Sequence, residues 1–581
     1  MEYSAISHRS TLPDCYASSS DEVVINLRTG KDVTGAWLIH DDPFAGGAMG
    51  FARWDGKSEP MKLVWELKYH NIWSITLHPA HKREQYYFSI TAGEEQVLYF
   101  EDGFYSPEQA NQPGRLRQYY KFPWLNSSDV ITPPAWVGDT VWYQIMPDRF
   151  CRGDAAPKRV PTRLWEDHKE LKAWDFYGGD LKGIREKLPY LRELGITGIY
   201  MTPFFLSNSN HKYNTFSYET IDPDFGTEED MVALVEDAHS MGIRVMMDAV
   251  FNHSGTEFAP WRDVLKNGPA SRYWDWFFVN QWPLPREYRN TEDGKFFTFA
   301  FTPMMPKLNT NNPDVADYCL QRCKYWTEHW HIDGIRFDVG NEVAHSFLKK
   351  LHAGLKAINP DLFLLGEIWH DSIQWLQGDE YDSVMNYPFM ESLHNFWLDE
   401  QDAQELMYAL NRCYSLYPSQ INPVLFNFLD THDTMRALTR CGSKDVFYQQ
   451  LALLMTMPGS ACIYYGTELA MEGGNDPDCR RPMLWNEMGS GSRMEDFRQV
   501  QALIGLRNHY PQLRWGRIRW ELEKNAPKLI RYSRVLAGRE AITVCINTAK
   551  TSTSIPNGKV LFSRNLEGGN LLPGGVAILS M

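Results

Sequence analysis

The strongest constraint on the fold is an alternation of short apolar segments with helical patterns in the middle of the chain. Each apolar segment has the length and composition of a buried strand, and amphipathic helical periodicity fills the intervals between them. Eight strands that alternate with helices predict a (β/α)8 TIM barrel, in which parallel strands lie inside a ring of helices. The eight predicted strands are residues 141–147, 198–203, 244–250, 334–338, 362–368, 383–386, 425–430 and 461–466.

Residue composition and strand patterns also predict the domains that surround the barrel. After the third strand, residues 252–311 precede the next helix and are rich in Trp, Phe and Pro, which indicates an inserted subdomain that shapes the site. Residues 1–125 and 512–581 have strand patterns broken by Gly, Asp and Pro. We therefore expect an N-terminal β-sandwich (1–125), a barrel domain (126–511) and a C-terminal all-β domain (512–581).

Composition narrows the classes of partner. The chain has 581 residues and a formal net charge of −15, which argues against nucleic acid or an anionic membrane as a partner. The N-terminus lacks the basic and apolar regions of a signal peptide, and no apolar run approaches the length of a membrane span. The nine cysteines are scattered without the paired spacing of a zinc site, so we expect reduced thiols in a cytoplasmic protein.

Polar residues gather where four of the predicted strands end. In a parallel barrel these carboxyl ends open onto one face, and that face is where barrel enzymes carry out their chemistry. Each residue alone has an ordinary interpretation, such as a helix cap, a hydrogen-bonded histidine or a solvated carboxylate. Together they predict a site, because buried carboxylates are unfavourable unless they are paired. The residues are Asp248, Asn252, His253, Arg336, Asp338, Glu367, His432 and Asp433.

Their chemistry suggests cleavage of a neutral sugar. Arg336 and Asp338 are two positions apart and face the same side of a strand, so the guanidinium should keep the carboxylate ionised as a nucleophile requires. An ordinary structural ion pair is the alternative for these two residues alone. Glu367 would act as a protonated acid, and two carboxyl groups about 5–5.5 Å apart would make a retaining glycosidase. Asp433 would stabilise the oxocarbenium-like transition state, with His253 and His432 as donors to ring hydroxyls.

Four sequence motifs resemble, in order and spacing, the signature regions of the α-amylase family, glycoside hydrolase family 13. These motifs are DAVFNH (248–253), GIRFDVGNE (334–342), GEIW (366–369) and FLDTHD (428–433). MPKLN (305–309), YDSVMNYPF (381–389) and DPDCRR (476–481) resemble the group that contains neopullulanases, cyclomaltodextrinases and maltogenic amylases. The resemblance covers essentially the whole chain and is weakest in the two β-domains.

The resemblance implies a role for each matching residue. It makes Asp338 the nucleophile, Glu367 the acid/base and Asp433 the transition-state stabiliser. Tyr213 resembles the aromatic platform beneath the cleaved sugar, and Asp478 with Arg480 resembles a binding pair of the group. The implied substrate-binding residues are Tyr213, Asp248, Asn252, His253, Arg336, Asn341, Glu342, Trp369, His432, Asp478 and Arg480, of which Asn341 and Glu342 shape the acceptor side.

The implied activity is that of a retaining hydrolase of α-1,4-glucosidic bonds in cyclodextrins, maltooligosaccharides and pullulan. A transglycosylating maltogenic amylase and an α-glucosidase of the same family remain alternatives, since retaining chemistry permits transfer to a sugar. A non-catalytic glycan-binding relative is a third alternative, although such proteins usually lose one of the three carboxylates. The resemblance also implies a homodimer formed through the N-terminal domain, with an oligosaccharide as the substrate.

One loop departs from the pattern of calcium-binding family members. Those members place Asn-Gly-Asp and then Asn-Asp in the loop, whereas here Arg152 replaces the first Asn and the later pair is missing. Asp154, Gly178 and Asp180 remain as remnants. A guanidinium in a cation site should repel Ca²⁺ and supply the positive charge itself. We therefore expect no calcium, no other metal and no cofactor.

Overall fold

A computed structural model of the chain describes residues 1–45, 54–112, 115–153, 158–284, 289–489 and 491–581. The chain forms two compact units. The first contains Met1–Thr132, Leu376–Gly378 and Gln401–Asn422, and the second contains the rest of the described chain. None of the helices in the described ranges combines the length and the apolar character that a membrane crossing needs.

The strands and helices are numbered in chain order. The strands are β1 (Cys15–Ala17), β2 (Val23–Thr29), β3 (Gly35–Asp41), β4 (Lys57–Pro60), β5 (Lys62–Glu66), β6 (Asn71–Leu77), β7 (Glu84–Ala92), β8 (Glu95–Phe100), β9 (Gly103–Tyr105), β10 (Tyr120–Phe122), β11 (Val141–Ile145), β12 (Gly198–Met201), β13 (Arg244–Ala249), β14 (Gly334–Phe337), β15 (Phe363–Gly366), β16 (Ser383–Val384), β17 (Phe426–Phe428), β18 (Ser460–Tyr464), β19 (Arg517–Trp520), β20 (Leu529–Val535), β21 (Ile542–Asn547), β22 (Thr553–Ser554), β23 (Lys559–Glu567) and β24 (Asn570–Ser580). The helices are α1 (Pro107–Ala110), α2 (Pro147–Phe150), α3 (Leu181–Glu186), α4 (Leu188–Leu194), α5 (Glu228–Ser240), α6 (Ala259–Asn267), α7 (Pro313–His329), α8 (His345–Lys356), α9 (Tyr387–Leu398), α10 (Ala403–Ser415), α11 (Ala437–Cys441), α12 (Lys444–Thr456), α13 (Gly491–His509) and α14 (Pro511–Trp515).

The first compact unit is built on two antiparallel sheets, as the strand patterns of the N-terminal region predict. One sheet has the order β1-β2-β6-β5, and the other has the order β4-β3-β7-β8-β9 with β10 beside β7. Side chains that alternate along β2 and β7, such as Ile25, Leu27, Phe88 and Ile90, are fully buried in the core of this unit. Helix α10 also belongs to it, and the Asn411 amide donates to the carbonyl oxygen of Glu66 at 2.9 Å.

The second unit contains the predicted barrel. Its eight parallel strands have the order β16-β15-β14-β13-β12-β11-β18-β17, and a parallel bridge between Met385 and Phe426 joins the two ends of the sheet. All eight predicted strands are confirmed, and each of them ends earlier than predicted. The reason is visible at β14: Asp338 still donates its backbone N–H to the carbonyl of Ala249, but the chain then turns away at Val339.

The barrel interior changes from apolar to polar along the strands. Trp142, Tyr200, Met246 and Phe363 belong to one buried cluster inside the barrel. Further along the strands the inward positions become polar: Gln144 on β11, Asp248 on β13 and Arg336 on β14 are all nearly fully buried. Asp248 and Arg336 are direct neighbours in the strand register, so the parallel pairing itself places a carboxylate opposite a guanidinium.

The predicted insertion follows β13 and ends at α7. It contains α6, and an antiparallel bridge between His253 and Lys307 joins its beginning, shortly after β13, to its final segment. Helix α7 begins sharply because the Asn312 side chain accepts hydrogen bonds from the first N–H groups of the helix and Pro313 occupies its first position. At the C-terminus, β19-β20-β21-β24-β22 form an antiparallel sheet with β23 beside β24, in the same compact unit as the barrel.

Candidate active site

The Arg336 guanidinium is the centre of the site. Its side chain is fully buried, and its Nη1 atom donates to both oxygens of Asp248 at 3.0 and 2.8 Å. The same Nη1 atom donates to Oδ1 of Asp338 at 3.0 Å, while Nη2 lies 2.7 Å from Oε2 of Glu367. One cation therefore holds three carboxyl groups that come from the ends of three adjacent strands, which is the convergence predicted from the sequence.

The two predicted catalytic carboxyl groups are held in different ways. Oε2 of Glu367 accepts from the Val339 backbone N–H at 2.9 Å, and Oε1 accepts from the Trp369 indole at 3.2 Å and more weakly from the Tyr387 hydroxyl at 3.4 Å. Oδ1 of Asp338 is bound to Arg336, whereas Oδ2 of Asp338 accepts no hydrogen bond from the described residues. Asp338 lines the cavity, so Oδ2 is the oxygen left free to react with a bound molecule.

Backbone strain accompanies this arrangement. Val339 has a φ of 47°, a conformation that a β-branched residue rarely adopts. This turn brings the Val339 N–H to Glu367, and it brings the N–H of Gly340 to the Glu367 backbone carbonyl at 3.0 Å. The loop after β14 is therefore locked to the end of β15, and the strained backbone fixes the relation between Asp338 and Glu367.

A hydrogen-bonded chain runs along the floor of the site from His432 to Asp248. Nδ1 of His432 faces the Gln144 amide at 2.8 Å, and Nε2 faces the Tyr213 hydroxyl at 2.7 Å. The Tyr213 and Tyr200 hydroxyls each donate to Oδ2 of Asp248 at 2.8 Å. This pattern is consistent with a neutral His432 that accepts at Nδ1 and carries its proton on Nε2.

The third carboxylate is oriented by two neighbours. Oδ2 of Asp433 lies 3.1 Å from Nε2 of His432, and Oδ1 accepts from Nη2 of Arg480 at 3.1 Å. Nε of Arg480 also donates to the His432 backbone carbonyl at 2.8 Å, and its Nη1 atom lies 3.2 Å from Oδ1 of Asp476. Asp433 and Arg480 thus come together from loops that are far apart in the sequence.

Of the two predicted binding residues Asp478 and Arg480, only Arg480 lines the cavity. Asp478 forms a bidentate ion pair with Arg481 at 2.8 and 2.9 Å and caps the turn by accepting from the Gly474 N–H. Asp476, two positions earlier in the same motif, pairs with Arg480 and lines the cavity instead. The short helical turn at 478–480 points the two aspartates in different directions, and sequence spacing does not reveal which of them faces inward.

These groups surround a cavity of about 510 Å³, within the usual size range of small-molecule sites. The three predicted catalytic carboxylates line it. The predicted binding residues that line it are Tyr213, His253, Asn341, Glu342, Trp369, His432 and Arg480. Asp248, Asn252 and Arg336 are fully buried and support the lining residues from below without lining the cavity themselves.

One lysine of the insertion connects two of the predicted binding residues. Nζ of Lys307 donates to Oδ1 of Asn252, and it lies 3.1 Å from both the backbone carbonyl and Oε2 of Glu342. His253 stacks on Phe299 of the insertion, with ring centroids 5.1 Å apart. The insertion therefore forms one wall of the cavity and fixes the residues that follow β13 and β14.

Sequence reasoning missed several residues of the site. His211, Phe299, Met305, Val339 and Asp476 all line the cavity. Met305, Val339 and Asp476 belong to motifs quoted above, so their neighbours were a usable signal. Phe299 lies in an irregular segment of the insertion, and nothing in its local sequence distinguishes it from the other aromatic residues there.

Burial dominates the electrostatics of the site. It raises the pKa of the Asp338 carboxyl, and the negative charges of Glu367, Asp248 and Asp433 act in the same direction while Arg336 opposes them. From the residues alone we expect the charge of Arg336 to prevail, but desolvation has the larger effect on this pKa. Burial also lowers the pKa of His432 well below its usual range, so this imidazole is neutral near pH 7.

The loop that resembles a calcium site holds protein cations. Oδ2 of Asp180 accepts from Nζ of Lys158 at 2.7 Å, and Oδ1 accepts from the N–H groups of Gly153 and Gly183 at 3.1 and 2.8 Å. The Lys158 ammonium also donates to the Asp224 backbone carbonyl at 2.7 Å. Both oxygens of Asp180, an expected calcium remnant, are therefore already bound to donors of the protein itself.

Arg152 is bound on the other side of this loop. Its Nη2 atom donates to the Thr162 hydroxyl at 2.8 Å and to the Tyr177 carbonyl at 2.7 Å. Gly178 adopts a φ of 80°, and a Cβ there would lie 2.8 Å from the same Nη2 atom. Asp154 lies outside the described residues. The described groups of this loop do not fit Ca²⁺, because its oxygen ligands would have to compete with a guanidinium and an ammonium.

Comparisons with known proteins agree with this geometry. A family model described as the α-amylase catalytic domain matches residues 144–544, and a model of the α-amylase N-terminal Ig-like domain matches residues 1–126. A cyclomaltodextrinase of Geobacillus thermopakistaniensis is 42% identical over 562 residues, which cover 96% of this chain and 93% of that protein. The intracellular maltogenic amylase of Bacillus subtilis strain 168 is 39% identical over 542 residues, covering 92% and 90%.

A solved structure of a cyclomaltodextrinase superposes on the chain with a TM-score of 0.89 and 35% identity, and the match covers 100% of both chains. Both the extent of the family match and the level of identity exceed what a shared fold alone would produce. The chain belongs to the α-amylase family of glycoside hydrolases.

Proposed function

We propose that this enzyme is a retaining α-glucan hydrolase of the cyclomaltodextrinase type, acting on α-1,4-glucosidic bonds in cyclodextrins, maltooligosaccharides and pullulan. The observation that carries the proposal is the binding of Asp338 and Glu367 to the two Nη atoms of one buried guanidinium. This arrangement keeps the two carboxyl groups close together, as the double-displacement mechanism requires. The names of the related enzymes support the substrate class.

The proposed first step forms a glycosyl-enzyme. The free Oδ2 atom of Asp338 attacks the anomeric carbon while the bond from that carbon to the bridging oxygen breaks, and Glu367 gives its proton to the departing oxygen. In the second step water attacks the anomeric carbon, the bond to Asp338 breaks, and Glu367 takes a proton from the water. The two inversions together retain the configuration of the sugar.

The remaining polar groups are proposed to hold the sugar at the point of cleavage. Asp433, His432 and Arg480 form one hydrogen-bonded set on the cavity wall, which suits ring hydroxyls. Tyr213 is stacked parallel to His432 with ring centroids 5.3 Å apart, and both rings contribute to the cavity lining. A preorganised set of this kind stabilises charge that develops on the sugar without reorganisation during the reaction.

Transfer to a second sugar is the alternative activity. Trp369 is 45% exposed and stacks on Tyr387 with ring centroids 3.8 Å apart, immediately beside Glu367. A flat aromatic surface next to the acid/base can hold an acceptor sugar in the position where water would otherwise attack. We therefore include transglycosylation among the activities of this site, with the ratio of transfer to hydrolysis set by acceptor binding.

We further propose that the enzyme needs no cofactor and no calcium and that it works inside the cell. The ammonium of Lys158 and the guanidinium of Arg152 supply positive charge where calcium-binding relatives hold the ion. The intracellular location is supported by the related Bacillus subtilis enzyme, which is an intracellular maltogenic amylase.

We also propose that the chain forms a homodimer through its N-terminal domain. In that domain Phe44 and Trp124 are 52% and 50% exposed. The Arg83 guanidinium lies 4.6 Å from the Phe44 ring centroid and 6.0 Å from that of Trp124. Exposed aromatic residues gathered around an arginine are typical of the central residues of protein interfaces.

Replacing the nucleophile should abolish turnover. We expect Asp338→Asn to lower kcat on maltotriose and β-cyclodextrin by at least about 10³-fold, because the amide cannot form the glycosyl-enzyme. Steady-state kinetics with product analysis measure this loss, and circular dichroism checks the fold. Asp361→Asn, an exposed aspartate just before β15, is the matched control and should retain wild-type kcat. Near-wild-type turnover by Asp338→Asn would refute the assignment.

The acid limb of the pH–activity profile should reflect the raised pKa of Asp338. The nucleophile must be ionised, so activity is gained as pH rises through this pKa, and burial places it above the ordinary value of about 3.9. We expect kcat/KM to fall below its plateau at a pH clearly above that value, and His432 should contribute no limb near its usual pKa of about 6.5. An acid limb at or below about pH 4 would contradict this reading of the site.

Calcium should not affect the enzyme. We expect neither EDTA nor added CaCl₂ to change the thermal unfolding midpoint or the activity, since Lys158 already neutralises Asp180. Lys158→Met should lower the unfolding midpoint, and Lys182→Met, which removes an exposed lysine 3.9 Å from Asp230, should change it little. A calcium-dependent rise of the midpoint in the wild-type enzyme, or binding by calorimetry, would show that the loop retains a metal site.

Light scattering tests the proposed dimer. We expect a mass near twice the 67.4 kDa of one chain, and we expect the double variant Phe44→Ser, Trp124→Ser to shift it towards the monomer. Trp174→Ser removes a 71% exposed tryptophan of the other compact unit and serves as the control. A monomeric mass for the wild-type enzyme at every concentration would exclude this mode of association.

A further inference from the structure

An uncharged amide on the first barrel strand faces the buried imidazole of the site. Gln144 lies one residue before the end of β11, and its side chain is only 1% exposed. Trp142, two positions earlier on the same strand, belongs to the cluster inside the barrel, so Gln144 also points inward. The amide lies 2.8 Å from Nδ1 of His432, which follows β17. Gln144 lies outside the four signature motifs and does not line the catalytic cavity.

The position of the hydrogen on His432 follows from the group that faces Nε2. Oδ2 of Asp433 lies 3.1 Å from this atom, and a carboxylate that is paired with Arg480 can only accept a hydrogen bond. Nε2 must therefore carry a hydrogen. Because the ring is neutral near pH 7, it has one N–H group, and Nδ1 is left as an acceptor. The part of Gln144 that faces Nδ1 is consequently its NH2 group.

The direction of the hydrogen bonds continues from His432 to Asp248. Nε2 of His432 lies 2.7 Å from the Tyr213 hydroxyl, and that hydroxyl donates to Oδ2 of Asp248 at 2.8 Å. A hydroxyl has a single hydrogen, so Tyr213 accepts from His432 and donates to Asp248. Every bond of the chain therefore points the same way, from the Gln144 amide to the carboxylate that Arg336 holds. Hydrogen bonds aligned in this manner polarise and strengthen one another.

Charged and titratable groups from several loops surround His432. Burial has the largest effect on its pKa and lowers it; two arginines act in the same direction, and Glu367 opposes them. Gln144 adds no charge to this balance, so it fixes the tautomer without favouring a second proton on the ring. A carboxylate in its place would stabilise the imidazolium form. The groups that face His432 are Tyr213, His211, Arg336, Glu367, Asp433, Cys479 and Arg480.

We propose that Gln144 is a positioning residue for glucan cleavage, and that it holds His432 as the neutral tautomer with its hydrogen on Nε2. The inference rests on the proposed function and adds to it a residue that acts only through another side chain. This tautomer directs one donor towards Asp433 and Tyr213 at the cavity wall. A second proton would place a cation beside a sugar that itself becomes positively charged in the transition state, which is unfavourable.

Neutron diffraction from deuterium-exchanged crystals of the ligand-free enzyme near pH 7 tests the tautomer directly. We expect deuterium on Nε2 of His432 and none on Nδ1, with the deuterated amide of Gln144 facing Nδ1. In Gln144→Glu the new carboxylate cannot donate, so Nδ1 should carry deuterium instead. Deuterium on Nδ1 in the wild-type enzyme would overturn the proposal. This measurement needs no turnover, so its result is independent of the proposed function.

Kinetics test whether the tautomer matters for the reaction. Gln144→Met has a similar length and no donor, and we expect it to lower kcat on maltotriose about tenfold with less than about a twofold change in KM. Gln144→Glu should lower kcat about 10²-fold, because it imposes the other tautomer or a second proton on His432. Circular dichroism and thermal unfolding check that both variants fold.

The matched control is Gln449→Glu. Gln449 lies on α12 and is 2% exposed, and its amide donates to the Asn547 carbonyl at 2.8 Å and accepts from the Trp397 indole at 3.1 Å. This variant changes an equally buried glutamine away from the site, so it should lower the unfolding midpoint and keep the wild-type kcat.

The outcomes separate the positioning role from the proposed function. Wild-type kcat in the folded Gln144 variants overturns the positioning role, and so does an equal loss of kcat in Gln449→Glu. If neither Gln144 variant folds, the neutron map of the wild-type enzyme decides the tautomer that the proposal requires. If the wild-type enzyme cleaves no glucan, the proposed function fails, and the same map still shows whether Gln144 holds His432 with its hydrogen on Nε2.

Discussion

The structure depends on one buried guanidinium. Arg336 neutralises carboxyl groups from β13, β14 and β15, and none of the three could remain in the barrel interior without it. Removing one partner of a buried ion pair typically destabilises a protein by about 3–5 kcal/mol, and here the loss would leave three partners. The same contact that allows the polar layer to be buried also brings the two predicted reacting carboxyl groups together.

This constraint explains why the site lies where the barrel interior changes from apolar to polar side chains. Below Arg336 the interior is filled by large apolar side chains, and above it the chain leaves the strands. The turn at Val339 is strained, yet it supplies a backbone donor to Glu367 and an opening into the cavity. A rigid, closely packed barrel can hold such a turn because the hydrogen bonds of both flanking strands restrain it.

The inserted segment after β13 adds what the barrel strands do not provide. Lys307 joins Asn252, which follows β13, to Glu342, which follows β14, and Phe299 covers His253. The insertion therefore forms one wall of the cavity, whereas the strand ends hold the predicted reacting groups. This division is consistent with a family in which one catalytic set acts on differently shaped glucans.

The amino-acid sequence by itself determined the barrel, the flanking β-domains and the convergence of Arg336, Asp338, Glu367 and Asp433, because strand periodicity and polar residues at strand ends are local properties. Only the tertiary structure decided that Asp476, rather than Asp478, forms an ion pair with Arg480, and that Lys158 forms one with Asp180. It also decided that burial outweighs the charge of Arg336 in setting the pKa of Asp338. Each of these outcomes depends on which way a turn points a side chain, or on how much solvent the surrounding packing excludes. Neither the direction of a side chain nor the extent of solvent exclusion can be derived from the spacing of residues along the chain.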